Sequence, residues 1–321
     1  MFEILTITSP FFLLVLAGFV AARTGVLPLP AIAGLNAFVL YFGIPCMLFR
    51  FGANTPIDQL LNFPVAALYL LCSLTLMGAV IAISRKRGLD WNNTAFGALV
   101  SSFPNTGFMG VPLLIALLGQ AAAGPVIVSL FVDLVVISSL GIALSRLHDS
   151  QSGEFSVALK KALRGMAVNP MPWAICLGGL ASALGLAPPK LIDSTIKLLG
   201  DSASPVALFT IGAVLARSAM LMKSGQGEKP IVQGIKTITV LKMIGQPLLI
   251  FGVFQAANAM GAGIDPFTIT VITLVGALPS ASNITILAER FEADSGRIAK
   301  IVLLTTGFTF FTFPLAVAVL S

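Results

Sequence analysis

Charge and catalytic side chains are scarce in this sequence of 321 residues. Charged residues make up 10% of the chain, while hydrophobic residues make up 57%. A composition of this kind is typical of a protein that crosses a lipid bilayer several times, and it excludes an ordinary soluble domain. His148 is the single histidine, so a histidine-based metal site has too few ligands. We therefore predict no metal site and no cofactor.

The motifs of common enzymes and of nucleotide-driven pumps are also missing. The sequence has neither the G-x-x-x-x-G-K-[ST] loop nor the H-E-x-x-H and G-x-S-x-G motifs. It has no basic stripe with interleaved aromatic residues, which excludes nucleic acid as a partner. The cysteines, Cys46, Cys72 and Cys176, lie in apolar runs without metal-ligand spacing and are typical of small core residues. The chain is therefore predicted not to be an enzyme.

Long apolar runs, in contrast, are abundant. About ten runs, each close to the roughly 20 residues of a spanning helix, follow one another along the chain. They cover approximately residues 3–22, 33–51, 63–84, 93–118, 124–146, 168–187, 195–216, 235–257, 266–288 and 299–320. Glu3 stands where a cleaved signal peptide carries basic residues, so the first run is predicted to be retained. These runs predict an all-α polytopic membrane protein with ten transmembrane helices.

The basic residues alternate between the two sides of the membrane when ten spans are assumed. Of the 19 Lys and Arg residues, all except Arg50, Lys190, Lys197 and Lys242 fall in or beside the odd-numbered connectors. Cytoplasmic loops carry an excess of Lys and Arg, which places the odd-numbered connectors in the cytoplasm. This pattern predicts a multi-pass plasma-membrane protein with its N- and C-termini outside.

The chain also matches itself when it is shifted. A shift of 160 residues pairs Gly18 with Gly178 and Gly52 with Gly212, and farther along a shift of 175 pairs Pro104 with Pro279. Repeats with an odd number of spans are inserted in opposite orientations, which is the inverted-repeat plan of secondary transporters. We therefore predict a first five-helix repeat at 1–146, a cytoplasmic amphipathic linker helix at 147–166 and a second, inverted five-helix repeat at 167–321.

Two of the predicted spans carry helix-breaking residues at their centres. The fourth span contains Pro104, Gly107 and Gly110 among serine, asparagine and threonine residues, and the ninth contains Pro279. Proline removes a backbone donor and clashes with the preceding turn. Broken backbone at membrane depth is tolerated only where it is buried in protein or lines a wet cavity. The pattern predicts crossed, broken helices 4 and 9 around a binding site, and a proline kink packed between helices is the alternative.

Such a crossing favours a small anion. The N-termini of half-helices carry partial positive charge and free N–H groups. Uncharged donors and acceptors are supplied by Asn105, Thr106, Ser280, Ser282 and Asn283. The apolar remainder of a carboxylate is expected against Phe103, Phe108 or Ile44. Unwound carbonyl groups that hold Na⁺ are the alternative.

Three ionisable residues within the predicted spans are candidates for ion or proton coupling. Lys242 either pairs with an acid or the substrate, or extends its ammonium group to the cytoplasmic face. Asp133 is either a proton carrier or a partner for a serine or backbone group on another helix. Asp201 either caps a helix after a break or joins an ion site.

Two stretches resemble the auxin efflux carrier family of transporters. These are residues 38–49 (FVLYFGIPCMLF) and residues 103–114 (FPNTGFMGVPLL). The second is similar to the P-N-T-x-x-M-G-x-P-L-L crossover of plant PIN-type carriers, and Leu278-Pro279 resembles their second crossover proline. The resemblance covers nearly the full chain. The connector after the fifth span is short, as in bacterial-type members, for which the inner membrane is the expected location.

The resemblance implies a scaffold domain, a moving transport domain, an elevator motion and assembly as a homodimer. It also implies that Asn105 contacts the substrate carboxylate and that Pro104 and Pro279 hold the crossing open. We therefore predict a secondary active transporter of a small organic anion, such as malonate or an auxin-like acid, with H⁺ as the coupling ion. A sodium-coupled symporter of the bile-acid type and a passive channel are retained as alternatives.

Overall fold

The computed structural model describes residues 2–54, 62–145, 170–186, 188–224 and 232–320, and these residues form helices joined by short connectors. The helices are α1 (Phe2–Arg23), α2 (Ala31–Asn54), α3 (Phe63–Lys86), α4a (Trp91–Ser102), α4b (Thr106–Leu118), α5 (Gln120–Ser145), α6 (Pro170–Ala183), α7 (Lys190–Ser224), α8 (Ile235–Ala259), α9a (Pro266–Ala277), α9b (Asn283–Arg290) and α10 (Ser295–Leu320). No β-strand occurs in these five ranges. The predicted linker helix at 147–166 lies outside them.

The chain is a polytopic helical membrane protein. Within the described ranges, 6 helices are long and apolar enough to cross a membrane, namely α2, α3, α5, α7, α8 and α10. Shorter apolar helices lie at Ser9–Arg23, Thr106–Leu118 and Pro266–Ala277. The last two belong to the fourth and ninth predicted spans, which do not form single long helices.

Helix α7 differs from the prediction. It runs without interruption from Lys190 to Ser224, through Pro205, whereas the apolar run predicted a span at 195–216. The proposed break before Asp201, and with it a helix-capping role for this residue, is therefore wrong. The first turns of α7 carry exposed charged side chains, including Lys190 and Asp193, so the helix extends beyond its apolar part.

Glycines allow two pairs of helices to pack with their backbones in contact. A Cβ atom at any of four glycines would crowd the backbone of the facing helix: Gly18 against Phe209, Gly212 against Val15, Gly178 against Phe49, and Gly52 against Ile175. Small residues at such interfaces are a common means of helix association in membranes. Helix α1 therefore packs tightly on α7, and α6 packs tightly on α2.

The helices form two packing groups. Helices α1, α2, α6 and α7 pack mainly on one another, while α3, α4, α5, α8, α9 and α10 form a second group around both interruptions. The groups meet where α7 contacts the start of α4b. They also meet where the rings of Phe12 and Phe310 pack edge to face with centroids 5.0 Å apart. This second group positions the candidate site.

Candidate functional site

Both predicted interruptions are present in the structure. Helix α4a ends at Ser102 and α4b begins at Thr106, while α9a ends at Ala277 and α9b begins at Asn283. The first residue after each half-helix, Phe103 or Leu278, has an extended backbone. The alternative of a simple proline kink is therefore wrong, because the chain leaves the helical conformation at both places.

The two interruptions are joined to each other through their backbones. The N–H of Asn105 donates to the carbonyl of Pro279 at 2.8 Å, and the N–H of Ala281 donates to the carbonyl of Phe103 at 3.0 Å. Pro104 and Ser280 face each other as an isolated antiparallel bridge. Neither proline needs an N–H in this arrangement, because both bonds use the N–H groups of other residues. We refer to residues 103–105 and 278–282 as the crossing.

Side chains satisfy the carbonyl groups at the C-terminal ends of α4a and α9a. The hydroxyl of Ser280 donates to the carbonyl of Val100 at 2.7 Å. The amide of Gln246 donates to the carbonyl of Ser102 at 3.1 Å, and the ammonium of Lys242 donates to the carbonyl of Gly276 at 2.9 Å. The last carbonyls of a helix lack intrahelical partners, and each unpaired group costs several kcal/mol at membrane depth. These contacts explain how the broken ends are tolerated.

Polar atoms at the N-terminal ends of α4b and α9b, in contrast, are unpaired. The Oδ1 atom of Asn105, the hydroxyl of Thr106 and the Oδ1 atom of Asn283 are buried and have no hydrogen-bond partner. Asn105 and Thr106 are 2% and 0% exposed, so the crossing is closed in this structure. Unpaired buried polar groups are uncommon in folded proteins and call for an explanation such as a ligand.

The apolar residues expected near the site are buried. Ile44 belongs to the same buried apolar core as Phe103 and Phe108. A surface cavity of about 270 Å³ lies elsewhere, at the N-terminal ends of α3, α5 and α9a. Its lining includes Asn62 and Asp265 and none of the crossing residues.

Lys242 lies within the protein and not at its surface. Its side chain is 0% exposed, and its ammonium group donates to the Oε1 atom of Gln246 at 2.6 Å as well as to Gly276. The proposal that it extends to the cytoplasmic face is therefore wrong. Its hydrogen-bond partners are an amide and a backbone carbonyl, and the carboxyl of Asp133 attracts it electrostatically. Gln246 was not predicted, although its position four residues after Lys242 puts both side chains on one helix face.

Asp133 is buried on α5 and is hydrogen-bonded to α3. The hydroxyl of Tyr69 donates to its Oδ2 atom at 2.9 Å, while its Oδ1 atom has no hydrogen-bond partner. The observed partner of Asp133 is therefore a tyrosine. The sequence had suggested either a proton carrier or a carboxyl paired with a serine or a backbone group. Tyr69 was missed, and its only signal was an isolated phenol in an apolar run.

Asp201 does not lie in a buried polar cluster. It is an exposed residue of α7, and its Oδ1 atom accepts a hydrogen bond from the guanidinium of Arg50 at 3.1 Å. This ion pair joins α7 to the end of α2. A surface pair of this kind contributes little to stability.

A second set of contacts joins the N-terminal ends of α4a and α10 to the residues just before α8. The buried guanidinium of Arg297 donates to the carbonyl of Asn93 at 2.8 Å and to that of Gln233 at 3.2 Å. Asp90 caps α4a by accepting from the N–H of Asn93 at 2.9 Å. Partial burial raises the pKa of Asp90, but the hydrogen bonds from Asn93 lower it by more, so the net pKa lies below the ordinary value. Arg297 was not among the predicted residues.

Comparison with known proteins places this architecture in a transport family. The family model described as "Membrane transport protein" matches residues 4–317. A protein of Rhizobium meliloti named "Putative malonate transporter" is 27% identical over 311 residues, which cover 95% of this chain and 92% of the relative.

Plant proteins are similar as well. "Auxin efflux carrier component 8" of Arabidopsis thaliana is 26% identical over 284 residues, covering 70% of this chain and 75% of the relative. "Auxin efflux carrier component 7" of the same plant is 36% identical over 110 residues, covering 34% of this chain and 17% of the relative. The family match spans nearly the whole sequence. The chain therefore belongs to the auxin efflux carrier family of membrane transport proteins.

Proposed function

We propose that this protein is a secondary active transporter that carries a small organic anion by an elevator-type alternating-access mechanism. The observation that carries the proposal is the crossing, where two broken helices meet and buried polar atoms of Asn105 and Thr106 lack partners. The substrate class is a carboxylate, such as malonate or an auxin-like acid. The relative named as a malonate transporter supports this class.

The geometry suits one carboxylate group at the start of α4b and α9b. Each half-helix N-terminus carries a partial charge of about +0.5, so the two together balance roughly one negative charge. The hydroxyl of Thr106 can donate to a carboxylate oxygen. The unpaired amide atoms of Asn105 and Asn283 are Oδ1 acceptors, so these side chains donate only once each amide turns its NH₂ group to that position. Ile44, Phe103 and Phe108 belong to one buried apolar core and are the residues proposed to contact the rest of the acid.

Equivalent contacts in the two halves support an inverted repeat of five helices each. The α1–α7 contact of Gly18 with Phe209 has a counterpart 160 residues away, the α6–α2 contact of Gly178 with Phe49. A shift of 175 residues relates Trp91–Ser102 to Pro266–Ala277, two half-helices of 12 residues each. Both begin after a capping aspartate, Asp90 or Asp265. We retain 1–146, 147–166 and 167–321 as first repeat, linker and second repeat.

The two packing groups support an elevator motion. In this proposal α1, α2, α6 and α7 form the scaffold, and the group that contains the crossing moves against it. The glycine contacts make the scaffold helices pack backbone to backbone, while the contact between the groups uses larger side chains such as Phe12 and Phe310. The scaffold is also where a homodimer would form, because it stays fixed in the membrane.

The proposed location is the bacterial inner membrane with both termini outside. The helix ends near Arg87, Thr237, Asn93 and Arg297 lie together, since Arg87 donates to Thr237 at 3.1 Å and Arg297 donates to Asn93. They belong to connectors that the positive-inside rule assigns to the cytoplasm. Asp133 is the proposed proton carrier, because its Oδ1 atom is buried and unpaired within a membrane-spanning helix.

The proposal is tested by ligand-induced thermal stabilisation and by uptake into proteoliposomes. Malonate and a panel of mono- and dicarboxylates are screened first, because a ligand that binds only the folded protein raises its melting temperature. Asn105→Ala is expected to weaken binding of the best ligand by about tenfold or more while the variant stays folded. Asn54→Ala, which removes an exposed amide outside the crossing, is the matched control and should bind as the wild type does.

The two variants also test whether the substrate binds at the crossing. If Asn105→Ala and Asn54→Ala bound the ligand with the same affinity, the substrate would not contact the crossing. If no carboxylate stabilised the wild type or entered the vesicles, the substrate class would be wrong.

A further inference from the structure

We propose that the ammonium group of Lys242 is a built-in cation of the crossing, which takes the place that a coupling metal cation would fill between the C-terminal ends of α4a and α9a. The inference rests on the proposed transport function and deepens it, because it determines whether substrate binding needs Na⁺. Lys242 acts as a positioning residue and does not contact the substrate.

Lys242 and Gln246 together reach both half-helices. The ammonium donates to the carbonyl of Gly276 near the end of α9a at 2.9 Å and to the side-chain carbonyl of Gln246 at 2.6 Å. The amide nitrogen of Gln246 then donates to the carbonyl of Ser102, the last residue of α4a, at 3.1 Å. One cation on α8 is therefore connected by hydrogen bonds to the C-terminal ends of both broken helices.

The ammonium group of Lys242 opposes the partial negative charge of the helix C-termini at the crossing. Two converging helix C-termini carry about −0.5 each, or roughly one negative charge. Lys242 and Gln246 are both 0% exposed, so water does not screen this charge. One ammonium group balances the charge of the two C-termini, just as one substrate carboxylate is proposed to balance the N-termini of α4b and α9b. Carbonyl groups at such ends are the ligands that hold Na⁺ in transporters with broken helices. Here an ammonium group already uses them.

The packing of α8 against α9a is close enough to bring Lys242 to its place. A Cβ atom on Gly276 would lie 2.7 Å from Cδ1 of Ile250 and 3.3 Å from Cα of Pro247. Lys242 itself lies in a π-helical turn, Leu241–Gly245, within α8. Asp133 on α5 is near enough to attract the ammonium group electrostatically. Its Oδ2 atom accepts from Tyr69, however, and the ammonium donates its hydrogen bonds to Gln246 and to the end of α9a.

The test compares the purified wild type with Lys242→Ala in Na⁺, in K⁺ and in choline, with methylammonium added as a probe for the space that the lysine leaves. Wild-type melting temperature and carboxylate binding are expected to be the same in all three salts. Lys242→Ala is expected to melt at least about 3 °C lower and to bind the carboxylate at least about tenfold more weakly in choline. Methylammonium or Na⁺ is expected to restore most of both losses.

Lys236→Ala is the matched control, because Lys236 is an exposed residue on the same helix. It should melt and bind as the wild type does in every salt. A general effect of cations on the protein would appear in this variant too, and would overturn the interpretation of any rescue.

Two results overturn the inference. One is a wild type whose binding or stability requires Na⁺, and this measurement does not depend on any variant. The other is a folded Lys242→Ala protein that matches the wild type in choline, or whose losses no cation restores. If Lys242→Ala does not fold, Gln246→Leu replaces it, with an expected loss of stability that cations do not restore because the lysine is still present. The melting temperatures are measured without substrate, so they test Lys242 even if the carboxylate proposal fails.

Discussion

Buried polar side chains in this protein fall into two classes at the scale of single residues. Tyr69, Ser280, Lys242 and Gln246 have hydrogen-bond partners within the protein. Asn105 and other polar side chains at the starts of α4b and α9b do not. A buried polar atom without a partner is costly. We therefore interpret the paired residues as structural supports and the unpaired residues at the crossing as candidates for ligand binding.

The Tyr69–Asp133 contact provides a test of such a support. Tyr69→Phe removes the phenol hydroxyl but keeps the ring, and it leaves the Asp133 carboxyl without its donor. We expect a loss of about 1–3 kcal/mol in the free energy of unfolding. Tyr41→Phe is the control, because Tyr41 is 59% exposed and should change stability by less than about 0.5 kcal/mol. Equal unfolding curves for the two variants in detergent would contradict the role of the buried contact.

Sequence reasoning found the residues of the crossing but not their partners. Asn105, Pro104 and Pro279 stand out because polar and helix-breaking residues are rare in an apolar run. Tyr69 and Gln246 do not, because their importance depends on contacts with residues 64 and 144 positions away in the chain. Such contacts are set by helix packing, which a single sequence does not reveal.

At the scale of helices, the half-helices α4a and α9a are built in the same way. Each has an aspartate at its N-terminus and an interruption at its C-terminus. The N-cap satisfies N–H groups that the helix cannot pair, and the partners at the crossing satisfy its last carbonyls. Both ends of each short helix are therefore fixed.

The cap of α4a predicts a pH dependence. Asp90→Ala is expected to lose about 1 kcal/mol at neutral pH, because the N–H of Asn93 loses its acceptor. The pKa of Asp90 is lowered in the folded protein, so its contribution is present above the unfolded pKa of about 3.9 and is lost as the pH falls through the folded value. Unfolding of the wild type and the variant, measured from neutral to acidic pH, should therefore converge at low pH.

Asp90→Asn separates the cap from its charge. Asparagine caps helices about as well as aspartate but does not titrate. This variant should keep most of the stability at neutral pH and show a constant difference from Asp90→Ala as the pH falls. If the wild type and Asp90→Asn both lost their stability advantage over Asp90→Ala to the same extent as the pH falls, a group other than Asp90 would cause the acid sensitivity.

Helix breaks could be predicted from the sequence, whereas local winding could not. Proline and glycine at mid-span gave the positions of both interruptions. The π-helical turns in α2, α5 and α8 were not predicted, because one extra residue in a turn changes no residue type. The length of α7 was also missed, because hydropathy marks where a helix leaves lipid and not where it ends.

At the scale of the whole molecule, two groups of helices share few contacts compared with those inside each group. The alternation of basic connectors and the shift of 160 residues pointed to two related halves. They did not reveal that the packing groups draw helices from both halves. This grouping depends on which glycine faces which backbone, and therefore on the folded structure.

The elevator proposal predicts that a cross-link between the groups stops transport. In a variant without Cys46, Cys72 and Cys176, cysteines replace Phe12 and Phe310, whose rings pack 5.0 Å apart across the boundary. Oxidative or mercury cross-linking should abolish carboxylate uptake, and reductant should restore it. Uptake that continues in fully cross-linked protein would contradict a movement of one group along the other.

The control for this experiment joins two helices of the same group. Met47 on α2 and Ser204 on α7 are in contact, with Sδ and Oγ 3.7 Å apart. Cysteines at these positions should cross-link without loss of uptake, because the two helices are expected to remain together throughout the cycle.

The pairing of Pro104 with Ser280 has a consequence for how such carriers diversify. Its two hydrogen bonds involve only main-chain atoms, so they make no demand on the side chains of Phe103 and Ala281. Mutation can change the size or polarity of the side chains at these positions while the main-chain hydrogen bonds are kept. One inherited frame can in this way give rise to carriers for cargoes of quite different shape.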